Sequence, residues 1–174
     1  MHPEVRSLID HFQFDTIPLE GTFYRRTYTS GIVLPEGIPA GTAIIGMYCH
    51  EPFSGSYFHR VSRDETWHFY KGDPFTLHLL FDDGQAGQVV MGSDVLGGQR
   101  LQFTVPAGTW QAAELDANAV YALFGCTVIP GFTGDCFEAG IANELTRQYP
   151  AQVAIIEKLC HPGTERWLPE GYEG

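Results

Sequence analysis

Residues 56–73 read SYFHRVSRDETWHFYKGD, and the reading of this run decides the fold. It closes on Gly72-Asp73-Pro74, a turn signal. Its centre, Thr66-Trp67-His68-Phe69-Tyr70, is rich in the aromatic residues that fit a pleated, half-buried surface. The expectation is a strand entry carrying polar groups, an aromatic strand and a tight turn. Alternate residues of a strand share a face. His59, Val61, Glu65, Trp67 and Phe69 have one parity, so an extended backbone sets an imidazole and a carboxylate on one wall of one cavity. His68 has the other parity and is expected between sheets or at a subunit contact.

Working outward, the same texture repeats. Residues 22–30, 42–49, 75–81, 87–91, 101–105, 109–115 and 120–128 read as strands, by alternation or as apolar runs, with Gly, Pro and Asp turns between them. In the first of these, Tyr24, Arg26 and Tyr28 share one face and Arg25 the other. Helical spacing occurs only near the ends. Val5, Leu8, Ile9 and Phe12 form one stripe, and residues 141–149 and 152–159 form two further helices split by Pro150. Residues 161–174 resist assignment. Many short strands with helices at the ends predict an all-β antiparallel sandwich or barrel, and a jelly roll closes such strands around a cavity.

Composition narrows the function classes. The chain of 174 residues is long enough for one domain with a real core, and its 44% hydrophobic content is that of a globular protein. A formal net charge of -11 argues against nucleic-acid or anionic-membrane binding, which needs clustered Lys and Arg. The sequence shows neither a membrane-spanning apolar run nor a signal-peptide pattern. Cys49, Cys126, Cys136 and Cys160 are scattered without a CxxC, as expected of reduced thiols in a cytoplasmic protein.

Two turn-punctuated blocks resemble the two motifs of the cupin superfamily. His59, Val61, Glu65 and Gly72 stand at the spacing of the first, with valine for its second histidine. Pro106, Gly108 and Gln111 match the second, with glutamine for its histidine. The phrases LEGTFYRRTYTS, FHRVSRDETWHFYKGDP, VPAGTWQAA and GCTVIPGF are similar to the DUF985 branch of that superfamily, over about residues 17–160. The resemblance implies one double-stranded β-helix (cupin jelly-roll) domain over residues 1–174, with the barrel over 17–137 and C-terminal helices over 139–160. It also implies a homodimer. It implies no known reaction, because one fold hosts many functions.

Three chemistries follow. Cupin metal sites use the positions held here by His59, Glu65 and Gln111, so one divalent ion on these three is one reading. Valine offers no donor, and a neutral amide is a weak ligand for a transition metal. Metal-free acid–base chemistry is the leading reading: His59 as base, Glu65 or Asp64 orienting it, and Tyr48 or Tyr57 as acid, acting on a carbohydrate-like or nucleotide-sugar-like small molecule. The third reading is a non-catalytic module whose pocket is built from Trp67, Trp110 and Tyr48, with Gln111, Glu65 and Arg25 as polar anchors and Glu20 at the rim.

Overall fold

The computed structural model describes residues 1–172. Two antiparallel sheets face each other. The first holds β1 (Asp15–Thr16), β2 (Phe23–Thr29), β3 (Thr42–Cys49), β10 (Tyr121–Ile129), β5 (Asp64–Gly72) and β8 (Gln102–Val105), side by side in that order. The second holds β11 (Phe137–Ala139), β4 (Ser56–Val61), β9 (Trp110–Leu115), β6 (Phe75–Leu80) and β7 (Ala86–Met91). From β4 onward the chain crosses repeatedly between the sheets, the course of the expected jelly roll.

The run 56–73 is therefore two strands in different sheets, not one. Ser62 and Arg63 make the corner between β4 and β5. The parity argument survives because the corner is two residues long and both sheets turn their inner faces to the same interior. His59, Val61, Glu65, Trp67 and Phe69 are all buried. Gly72, at φ +99°, ends β5 where a Cβ would stand 2.3 Å from the Tyr121 carbonyl oxygen.

One end of the interior is packed with hydrocarbon: Tyr48, Phe69, Phe75, Leu77, Leu79, Met91 and Phe124 are buried together. The Phe124 ring lies on the bare backbone of Gly46, where a Cβ would stand 2.4 Å from it. Outside the first sheet, α1 (Pro3–Phe12) seats Val5 against Met47, Cys49 and Tyr121. Outside the second, α2 (Ala142–Gln148) and α3 (Val153–Leu159) cover Phe58, Leu80, Trp110 and Ala112 with Leu145, Ile156 and Leu159. Burying each such aliphatic side chain is worth about 1.5–3 kcal/mol. No helix among the described residues is long and apolar enough to cross a membrane.

The expected elements are present, with bounds moved by a residue or so. β1 and β11, of two and three residues, are additions; neither is long enough to carry a periodic signal. β2 shifts register between Arg26 and Tyr28, which leaves Tyr28 at the surface although its parity matches Tyr24. Residues 161–172 form neither helix nor strand, yet they are tied down: the Ala139 N–H donates to the Arg166 carbonyl at 2.8 Å. Residues 173–174 of the unassigned tail lie outside the described part.

Candidate functional site

At the other end of the interior a cavity of about 40 Å³ remains. Its walls carry Glu20, Thr22, Tyr24, Arg26, His59, Glu65 and Cys126 among apolar neighbours that include Val61, Trp67, Phe124, Phe137 and Tyr172.

His59 comes from β4 and is 2% exposed. Its ring stacks on Phe137, with centroids 5.3 Å apart. Nδ1 lies 2.9 Å from the Tyr57 carbonyl oxygen, which only accepts, so Nδ1 carries a proton and donates it there. Nε2 is thereby aimed at the cavity, 3.8 Å from Glu20 Oε2. Glu20 sits in the turn before β2 and is also buried. Its Oε1 accepts from Thr22 Oγ1 at 2.5 Å and from Ser56 Oγ at 3.2 Å. Ser56 and His59 have opposite parity. They reach the same carboxylate because the pairing of β4 with β9 is irregular between them.

A second polar chain runs alongside. Gln111, on β9 directly opposite His59, donates through Nε2 to Glu65 Oε2 at 2.6 Å and accepts through Oε1 from Trp67 Nε1 at 2.9 Å. Burial pushes the Glu65 carboxyl above its ordinary range, and the Glu20 charge adds to this; His59 and the Gln111 amide oppose it. Cys126, on β10 beside Glu65, is raised well above the usual thiol range, first by burial and then by the two carboxylates. Tyr48 is raised too, by burial and then by Glu20. Its hydroxyl is buried and has no hydrogen-bond partner of good geometry among the described residues.

His59, Glu65 and Gln111 are thus neighbours, as expected, but they do not divide the work as expected. The carboxylate facing the imidazole is Glu20, not Glu65. Asp64 cannot orient His59: it is exposed and accepts from the Ala107 N–H at 2.9 Å. Tyr57 shares the sequence parity of His59 but lies within the irregular β4–β9 pairing between Ser56 and His59, and it lines a cleft with Phe53 on the outside of the barrel. Trp110 also faces outward, under the helices, with the Arg60 guanidinium 4.6 Å above its ring. Arg25 is exposed and 4.0 Å from Asp15; Arg26, of the opposite parity, is the arginine at the cavity. His68 lies on the outer face of β5 and contacts Thr127 Oγ1 at 3.2 Å.

The donor set does not fit a divalent ion. Val61 brings no donor atom, and both polar ends of Gln111 are committed to Trp67 and Glu65. No group of three or more His, Cys, Asp or Glu among the described residues is arranged to hold a metal. Sequence reasoning passed over Thr22, Tyr24, Ser56, Cys126 and Tyr172. Cys126 was readable, since it alternates with Phe124 and Val128 in an apolar run. Ser56 and Tyr172 were not, because an irregular pairing and an unassigned segment position them.

A family model described as "Cupin superfamily (DUF985)" matches residues 6–140. Among solved structures, a protein from Shewanella oneidensis is 30% identical, with a TM-score of 0.83 over 90% of this chain and 97% of that one. A hypothetical protein from Leishmania major is likewise 30% identical, with a TM-score of 0.79 over 90% of this chain and 98% of that one. Oxalate decarboxylase from Bacillus subtilis, at 11% identity and a TM-score of 0.51, covers 94% of this chain with 41% of its own; that likeness is one of fold. No curated protein matches the chain.

Proposed function

The chain belongs to the DUF985 family of the cupin superfamily, and from the geometry of its cavity we propose that it binds a small carbohydrate-like molecule beside His59 and moves a proton on it without a metal ion. The reaction class is isomerisation, epimerisation or dehydration. One observation carries the reading: a buried histidine whose Nδ1 is tied to a backbone carbonyl and whose Nε2 faces a buried carboxylate 3.8 Å away in the wall of a small cavity.

The step balances within the site. Nε2 of His59 takes a proton from a carbon next to a carbonyl. The C–H electron pair moves into an enediolate, and the imidazolium returns the proton to the other face of the same carbon, to the neighbouring carbon as Glu65 relays a proton between the two oxygens, or to a β-hydroxyl that leaves as water. Glu20 stabilises the imidazolium formed in between. Glu65, whose carboxyl burial biases toward its protonated form, is the O–H donor to the developing oxyanion. Tyr48, the acid named from sequence, packs its ring in the hydrocarbon end and is not among the residues that line the cavity. Closed, the cavity of about 40 Å³ is smaller than a sugar ring, so a sugar enters only where a wall gives way, and any nucleotide portion stays outside.

Pentoses, hexoses and their phosphates, screened by thermal shift, are expected to yield at least one ligand. In D₂O that ligand should exchange a carbon-bound proton, followed by NMR. His59→Ala should retain binding and lose exchange by at least about a hundredfold, the usual worth of a positioned acid–base group. A ligand that binds with no exchange would make the protein a non-catalytic binding module. Exchange unaffected by His59→Ala would remove His59 from its role.

A further inference from the structure

Tyr172 lines the cavity although it lies beyond residues 6–140, which the family model matches. Its hydroxyl donates to Tyr24 Oη at 2.7 Å, so a side chain from residues 165–172 completes a wall otherwise made by the barrel. The attachment of this segment is narrow. Arg166 pairs with Glu138 and Glu144 at 2.7 Å each, and the Arg166 carbonyl accepts from Ala139 N–H. Leu168 is buried against Phe137 and Ala139, whereas Trp167 is 59% exposed. A cleft of about 390 Å³ lies between the segment and the 3-10 turn Gly134–Cys136. Where the two do touch, a Cβ on Gly134 would stand 2.1 Å from the Tyr172 carbonyl oxygen. Two part-exposed ion pairs and one small apolar cluster, Leu168 and Tyr172 on Phe137, Ala139 and their neighbours, hold the segment, an attachment sparser than that of the barrel strands and so cheaper to open locally.

We propose that residues 165–172 are a strap that lifts to admit a ligand and closes with the Tyr172 side chain as the outer wall of the cavity. This rests on reading the cavity as a ligand site. It explains how a cavity of about 40 Å³ takes in a polar molecule: the Tyr24–Tyr172 hydroxyl pair separates, and both phenols become hydrogen-bonding groups for the guest. Closure then excludes water from His59 and Glu20.

Cys126, in the cavity wall and 3% exposed, reports opening without any ligand. The probe is methyl methanethiosulfonate, with labelling rates resolved by peptide mass spectrometry. Cys49, beneath α1, and Cys160, beside α3, belong to buried clusters that the strap does not join and serve as controls. Arg166→Ala removes the ionic ties, and Gly134→Ala forces the strap off its seat. Arg166→Ala should speed Cys126 labelling about tenfold, the worth of one charge-assisted contact, and Gly134→Ala should speed it through the clash with Tyr172, with the controls unchanged in both. Cys126 rates equal to wild type in both variants would overturn the strap, as would equal acceleration of all three cysteines. Faster Cys126 labelling with no sugar bound would keep the strap and discard the sugar. A bound sugar with unchanged Cys126 labelling would do the reverse.

Discussion

The two ends of the barrel interior are built by the same strands and differ in almost everything else. At one end the inward residues of β3, β5, β6 and β10 are Tyr48, Phe69, Phe75, Leu77 and Phe124, and they fill the space. At the other, β5 and β10 send in Glu65 and Cys126 and β4 sends in His59, which leave a cavity. Alternation alone cannot separate these ends, because a strand's inward parity is the same along its length. What separates them is the chemistry of the next inward residue. Hydrocarbon closes up on itself, while groups that must be hydrogen-bonded hold one another apart at fixed distances. Gln111 stands at the border, joining Trp67 of the packed core to Glu65 of the cavity.

The largest expected effect belongs to the packed end. Phe75 is 1% exposed and touches Tyr48, Trp67, Phe69 and Phe124. Phe75→Ala should cost about 3–5 kcal/mol in urea denaturation, the transfer of the ring plus the void it leaves. His59→Ala, opening onto an existing cavity, should cost less than about 2 kcal/mol, since water can enter and solvate Glu20. Similar losses at the two sites would mean that the polar end is packed as the dry end is.

Next comes the border. Gln111→Leu keeps the volume near that of glutamine but strips the partners from the Trp67 N–H and from Glu65 Oε2. Each orphaned buried group costs about 1–3 kcal/mol, so this apolar substitution should destabilise the protein. Gln111→Glu should be milder, as a carboxyl can still accept from Trp67 while sharing a proton with Glu65. Equilibrium unfolding of both variants orders them; a stable Gln111→Leu would mean that the amide bridges nothing essential.

This comparison also shows how far the sequence could be read. The dry end followed from parity: Phe75, Leu77 and Leu79 declare their face by alternation, and a burial pattern is set by many residues at once. The pairing of His59, Glu65 and Gln111 within one interior followed too, from motif spacing. Its internal wiring did not. Glu20 reaches His59 from a turn 39 positions away in sequence, and nothing local in either stretch announces a contact made by folding β2 and β4 together. The choice of Arg25 over Arg26, and of Trp110 as a pocket wall, set chemical suggestion above the parity that the same strands already displayed.

The smallest effect is a slope against pH, and it asks whether the polar end carries its charge on Glu65. Burial lifts the folded-state pKa of Glu65 above its ordinary 4.5. Between the unfolded and folded values the native protein therefore holds a proton that the unfolded chain has released. Stability from this group is fully present below the unfolded pKa and drains away as pH rises through the folded one. Glu65→Gln preserves the shape and an acceptor for Gln111 but cannot titrate. The stability of wild type relative to Glu65→Gln should accordingly fall as pH is raised from about 5 to about 8, read as the difference of two denaturation series. The opposite slope, with wild type gaining on the variant as pH rises, would mean that an ionised Glu65 is held by a protonated His59. In that event the cavity is an ion-pair site and Glu65 is no longer its proton donor.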